Sequence, residues 1–169
     1  MIFFSADHHF WHRNIIRFQE RPFTSLEEMH QGLVYNHNLR VGPSDTTYFL
    51  GDFSFRGNPK HVEMTLSKMN GKKYLIPGGH DQPKKWFHFF HILPMIWDVS
   101  DGKNVFTCCH LPLETWPKKR FGAIHLHAHI HGKWPFKLES RKMDVGVDTN
   151  NLFPYSFDEI LKKFEGEKI

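Results

Sequence analysis

Fourteen of the 169 residues are histidine. Several stand beside Asp or Gly where a short apolar run ends. Imidazole is the commonest metal ligand and titrates near neutral pH, so these positions come first. Five clusters share one arrangement, an apolar strand, a sharp turn, then Asp or His. They are Asp7-His8-His9, Gly51-Asp52, Gly78-Gly79-His80-Asp81, Cys109-His110 and His127-Ala128-His129-Ile130-His131. Carboxylate and neutral imidazole together suit borderline divalent ions such as Mn, Fe, Co, Ni or Zn. Side chains two apart on a strand share a face, so His129 and His131 are expected to point to one place, and Asp7 and His9 have the same spacing. A lone His at a strand end is more often a hydrogen-bonded structural residue. Five such clusters in order make coincidence a poor explanation.

The elements that must position these residues read as follows. Met1 to Ala6, Thr46 to Leu50, Tyr74 to Ile76, Val105 to Cys109, Ile124 to Ile130 and Lys142 to Val147 are strands. Thr24 to Leu39 is a helix with Ser25 and Glu28 as its capping pair and Leu26, Met29, Leu33 and Leu39 on its apolar face. Asn58-Pro59 opens a helix carrying Val62, Leu66 and Met69, and Ser156 to Phe164 is a last helix capped by Ser156 and Glu159. The aromatic segment from Trp86 to Trp97 begins as a helix. Strand–helix alternation followed by strands predicts an α/β fold, two packed β-sheets flanked by helices. In such folds ligands bind beyond the carboxyl ends of strands, and all five clusters lie there.

Composition narrows the classes. The chain suits one domain spanning 1–169, and 40% hydrophobic residues supply a core, which excludes a disordered chain. Two adjacent cysteines, Cys108 and Cys109, exclude a disulfide-framed secreted scaffold. No apolar run is long enough to cross a membrane, and the apolar start has no basic leader, so a cytoplasmic protein with no membrane partner is expected. The net charge of +4 favours anionic partners, here a phosphate ester, nucleotide or nucleic acid.

The ordered set Asp7-His8-His9, Gly51-Asp52, Gly78-Gly79-His80-Asp81, His110 and Ala128-His129-Ile130-His131 resembles the motifs of the calcineurin-like metallophosphoesterase family. The match spans residues 7 to 131. The opening through Asn14, Tyr48 to Phe55 and Met143 to Asp148 look like a small phage and bacterial branch of that family. The resemblance implies a four-layer αββα sandwich with two divalent metal ions at one end, Mn favoured over Fe, Ni or Zn. By it, Asp7, His9 and His131 hold the first metal, Asp52 bridges, and His110 and His129 hold the second. His80, oriented by Asp81, acts as general acid. The implied reaction is hydrolysis of a phosphomonoester or phosphodiester by a hydroxide activated between the metals. Two positions depart from the pattern. Gly79 stands where the family has an Asn ligand, which weakens the second site, and Ala128 replaces a Gly. The Gly79 departure supports the alternative, an inactive scaffold or interaction module on the same fold.

Other residues carry weaker readings. Arg13 and Asn14, after His12, and Arg56, after Gly51-Asp52, are candidates to reach a substrate phosphate. His8 is expected to point into structure. His125 and His127 extend the His129/His131 alternation, with His127 as support for a ligand. Lys118, Lys119 and Arg120 form a basic run after His110. The aromatic segment 86–97 is core by default, with room for a homodimer or partner surface.

Overall fold

The computed structural model describes residues 1–55, 58–86 and 88–165. Among the described residues, nine strands form two sheets. The first has the order β4-β3-β2-β1-β9, built from β1 (Ile2–Ser5), β2 (Thr46–Phe49), β3 (Lys72–Leu75), β4 (His91–Ile92) and β9 (Tyr155–Ser156). Its first four strands run parallel, joined by α1 (Arg13–Phe18) and α2 (Leu26–Arg40), then α3 (Pro59–Leu66), then α4 (Pro83–Trp86). Parallel neighbours need such crossovers, and each crossover leaves a strand's carboxyl end free at the same rim. The second sheet has the order β5-β6-β7-β8, from β5 (Ile96–Ser100), β6 (Val105–Cys109), β7 (Ile124–His127) and β8 (Lys142–Asp144). There β6, β7 and β8 are parallel and β5 is antiparallel to β6.

Period-two patterning sorts the faces. Phe106 and Cys108 of β6 and Ile124 and Leu126 of β7 point inward, meeting Phe4, Leu50 and Ile76 of the first sheet. The last helix, α5 (Phe157–Phe164), adds Phe157, Ile160 and Phe164 to this core between the sheets. A second core lies on the other face of the first sheet, where Phe49 and Leu75 pack on Met29 and Leu33 of α2, Val62 and Leu66 of α3, and Trp86. The chain is thus α/β, with two packed sheets flanked by helices.

Several boundaries differ from the sequence reading. In α2 the buried positions are Met29, Leu33 and His37, while Leu39 is exposed. Steps of four keep to one side of a helix, and the step from Leu33 to Leu39 does not, so His37 takes the inner position. The aromatic segment does not stay helical. The described part of it turns after Trp86, forms β4 and enters β5, where Ile96 and Trp97 are exposed on an edge strand. Phe87 lies outside the described residues. Strand β7 ends at His127, three residues early, because the chain leaves the sheet to place its last two histidines.

Candidate metal centre

Each chemistry-bearing cluster follows the carboxyl end of a parallel strand: Asp7 after β1, Asp52 after β2, His80 after β3, His110 after β6, and His129 and His131 after β7. Backbone bonds lace these ends together. Asp7 N donates to Gly51 O at 3.1 Å, His9 N to Asp52 O at 3.0 Å, and Ala128 N to His110 O at 3.0 Å. Five of the candidate ligands sit in the left-handed region: Asp7 (φ 55°), His9 (51°), Asp52 (51°), His129 (73°) and His131 (49°). That conformation costs a non-glycine residue about 1–3 kcal/mol, and the surrounding packing must hold it. It also overturns the argument from strand alternation. His129 and His131 are not on a strand, and left-handed turns send them to different groups.

Those groups are two triads. Ligand atoms of Asp7, His9 and His131 lie within 4.8 Å of one another, and so do those of Asp52, His110 and His129. Asp52 also groups with His9 and His80. Its Oδ2 is 3.5 Å from His110 Nε2, 3.7 Å from His9 Nε2 and 3.9 Å from His80 Nε2. Asp52 therefore stands between the two triads. These separations are too long for good hydrogen bonds. They match the spacing of atoms that converge on a shared cation at about 2.0–2.2 Å each.

Burial and tautomers agree with that fit. Asp7 Oδ1, both ring nitrogens of His9 and His110 Nε2 are buried without a hydrogen-bond partner among the described residues. Buried polar atoms are rarely left so. Burial holds His9 neutral, down to about 3, and raises Asp7 to about 7. A neutral imidazole is the form that binds a metal, and a cation beside Asp7 would offset the burial that raises it. His110 Nδ1 donates to Leu50 O at 2.8 Å, which leaves Nε2 to face Asp52. Burial opposes charge on both members of this pair. The attraction between them outweighs it, raising His110 and lowering Asp52.

A clamp behind the first triad was not foreseen. His131 Nδ1 donates to Asp148 Oδ2 at 2.7 Å. Arg21 grips the same carboxylate with Nε (2.8 Å) and Nη2 (2.9 Å). Arg21 also donates to Asp7 O (2.7 Å) and His8 O (2.8 Å). One buried guanidinium thus ties the Asp7 turn to the His131 turn. Burial alone would raise Asp148, but its bonds to His131 and Arg21 hold it at about 2. The sequence signal existed at Asp148, a strand, then Gly146, then Asp. Nothing in the sequence marks Arg21 as buried. Gly146 is required because a Cβ there would come within 2.8 Å of Asp7 Oδ2 and 3.1 Å of Asp144 Oδ1.

The remaining candidates fall in different places. Asp81 does not hydrogen-bond the His80 ring. Its carboxylate accepts from the backbone N of Asp52 (2.8 Å), Phe53 (2.9 Å) and Gly78 (2.8 Å), so it fixes the Asp52 turn. His80 is held by its backbone N, which donates to Asp52 Oδ1 at 2.9 Å, and its ring stands edge-on to Phe55 at the surface. His8 bonds Ser5 Oγ and packs among Phe10, Phe49 and Phe53. His125 is structural, with Nδ1 toward Thr107 O and Nε2 accepting from Leu113 N. His127 is buried beside it and is in neither triad. Arg13 and Asn14 are exposed in the first turn of α1, with no hydrogen bond or ion pair to the triads among the described residues. Arg56 lies outside the described residues. Lys118 pairs with Asp98 of β5, and Lys119 and Arg120 lie over Trp116 and Phe121. Both cysteines are buried and free. No helix among the described residues is long and apolar enough to cross a membrane.

The uncharacterized protein MJ1445 of Methanocaldococcus jannaschii is 34% identical to this chain over 173 residues, covering 99% of the chain and 93% of that protein. The chain belongs to the MJ1445 family. No protein-family model matches it. The crystal structure of AQ665 from Aquifex aeolicus, a protein of unknown function, superposes on this MJ1445-family fold at TM-score 0.77 with 25% identity, over 96% of this chain and 98% of that one. A conserved uncharacterized protein of Streptococcus pneumoniae, described as a predicted phosphoesterase, aligns at TM-score 0.43 and 15% identity over 86% of this chain and 70% of that one. So loose a likeness says nothing of activity here.

Proposed function

We propose that the chain is a metal-dependent phosphoesterase. The observation that carries this reading is the pair of triads meeting at Asp52, with the buried and unpartnered atoms of Asp7, His9 and His110 turned into it. Asp7, His9 and His131 would hold one divalent ion and His110 and His129 a second, with Asp52 shared. Such an ion pair would supply Lewis-acid polarisation of a phosphoryl oxygen and a lowered pKa for attacking water.

The chain's own residues do the rest. His9 stays neutral and so keeps one ring-nitrogen lone pair for a ligand role. Asp81 holds the Asp52 turn from three backbone donors. His80 is the group free to move a proton. Its side chain is 43% exposed and its Nε2 lies 3.9 Å from Asp52 Oδ2, at the edge of the triads and in reach of a bound ester. It donates a proton to the leaving oxygen. Gly79 has no side chain to contribute, yet six donors remain in two groups. A degraded scaffold would have no use for buried, unpaired donors, which disfavours the inactive reading.

Turnover of an aryl phosphate ester with added Mn²⁺ tests the proposal. The wild type is expected to hydrolyse it and Asp52→Asn to lose both metal and activity. His80→Ala should bind Mn²⁺ normally while kcat falls about 10²-fold or more. No turnover by the wild type with any divalent ion would refute the reading.

A further inference from the structure

A cavity of about 580 Å³ adjoins the triads without being their mouth. It lies along β8, under residues 130–141, with Tyr155 of β9 and Lys163 of α5 on its far side. Its volume is that of a small-molecule site. His131 belongs to both places, lining the cavity and completing the first triad.

The walls have a definite chemistry. Lys137, Lys142 and Lys163 line the cavity, and none forms an ion pair among the described residues. The two carboxylates on the floor are already engaged. Asp144 accepts from Gly132 N and Gly146 N, each at 2.8 Å, and Asp148 is held by Arg21 and His131. Three ammonium groups thus face one carboxylate, Asp144, whose charge its amide bonds do not cancel, and the balance is positive. Two large aromatic side chains flank it and stay exposed, Trp134 at 55% and Phe136 at 48%. Lys142 Nζ lies over the Trp134 ring, 6.0 Å from its centre, so the cation and the ring share one wall of the cavity. Unpaired ammonium groups call for phosphate, and exposed ring faces beside them call for a planar base.

We infer that this cavity binds a nucleotide, its base on Trp134 and its charge among the three lysines, as the non-reacting part of the ester processed at the triads. That last clause rests on the phosphoesterase reading. The cavity itself does not.

The two are separable by experiment. Thymidine 5′-monophosphate is titrated calorimetrically into the wild-type chain in EDTA. It is expected to bind at least tenfold more tightly than thymidine or inorganic phosphate alone. Lys142→Ala/Lys163→Ala and Trp134→Ala should each weaken it by about tenfold. Equal binding by inorganic phosphate, or unchanged affinity in both variants, overturns the inference. Kinetics with Mn²⁺ then compare the p-nitrophenyl ester of thymidine 5′-monophosphate with bis-p-nitrophenyl phosphate, which share a leaving group. The lysine variant should raise KM at least tenfold for the first and leave the second unchanged. An equal effect on both esters overturns the assignment of the cavity to substrate. Failure to cleave either ester, with nucleotide binding retained, counts against the phosphoesterase reading and leaves the nucleotide site standing.

Discussion

At the scale of single residues, the site is defined by what lies behind the ligands as much as by the ligands. Asp148 fixes the tautomer of His131 by accepting a hydrogen bond from its Nδ1–H, which leaves the lone pair on Nε2. Asp148→Asn keeps the shape and removes the charge. Partners of this kind are worth about 10–100-fold in metal affinity, so calorimetric titration with Mn²⁺ should show one site weakened by that factor and the other unchanged. Gly79 offers the opposite experiment. A Cβ there would meet nothing within 4 Å, so Gly79→Asn has room to add an oxygen donor. Tighter binding at the weaker site is the expected result, and an unchanged isotherm would mean that the Asn side chain does not reach it. Residue identities at the site were legible because Asp and His are chemically conspicuous. Their conformations were not, since the left-handed φ at His129 and His131 is imposed by the loops around them. Arg21 was invisible for a related reason: an arginine on a loop reads as solvated, and only the fold shows it enclosed by Asp148 and two carbonyls.

At the scale of elements, local signals held where they were self-contained. Ser156 accepts from Glu159 N at 3.2 Å while Glu159 returns a bond to Ser156 N at 2.8 Å, completing the capping box of α5. This helix places Phe157, Ile160 and Phe164 in the core between the sheets, so its first turn matters to the whole sandwich. Ser156→Ala should lower unfolding free energy by about 1 kcal/mol, measured by urea titration with an unchanged slope. At α2 the outcome was mixed. Ser25 caps Glu28 N as read, but the Glu28 carboxylate bonds Thr24 and not Ser25. The aromatic segment misled because apolar density alone does not separate helix from strand. Its residues serve two different surroundings: Trp86 and Phe90 in the helix-side core, and Ile96 and Trp97 on an open edge.

At the scale of the whole molecule, buried imidazoles outside the triads make the fold acid-sensitive. Burial pushes His37 and His125 down to about 4. Unfolded chains protonate them near pH 6.5. Between those values the unfolded state binds more protons, so each contributes stability that is present above pH 6.5 and lost as pH falls toward 4, at about 1.4 kcal/mol per pH unit. The stability gap between wild type and His37→Gln should narrow at that rate from pH 6.5 to pH 4.5, read by chemical denaturation at each pH. A constant gap would show that His37 does not titrate differently on folding. The same global view explains why the α/β class was readable from alternation while the meeting of the triads was not: the donors come from the ends of four strands in two sheets.

That origin has a kinetic corollary. A nascent polypeptide can bring together only near neighbours such as Asp7 with His9, and never a complete triad, until the two sheets have closed on each other. Any cation held by these triads would therefore be captured late, after the sheets have met.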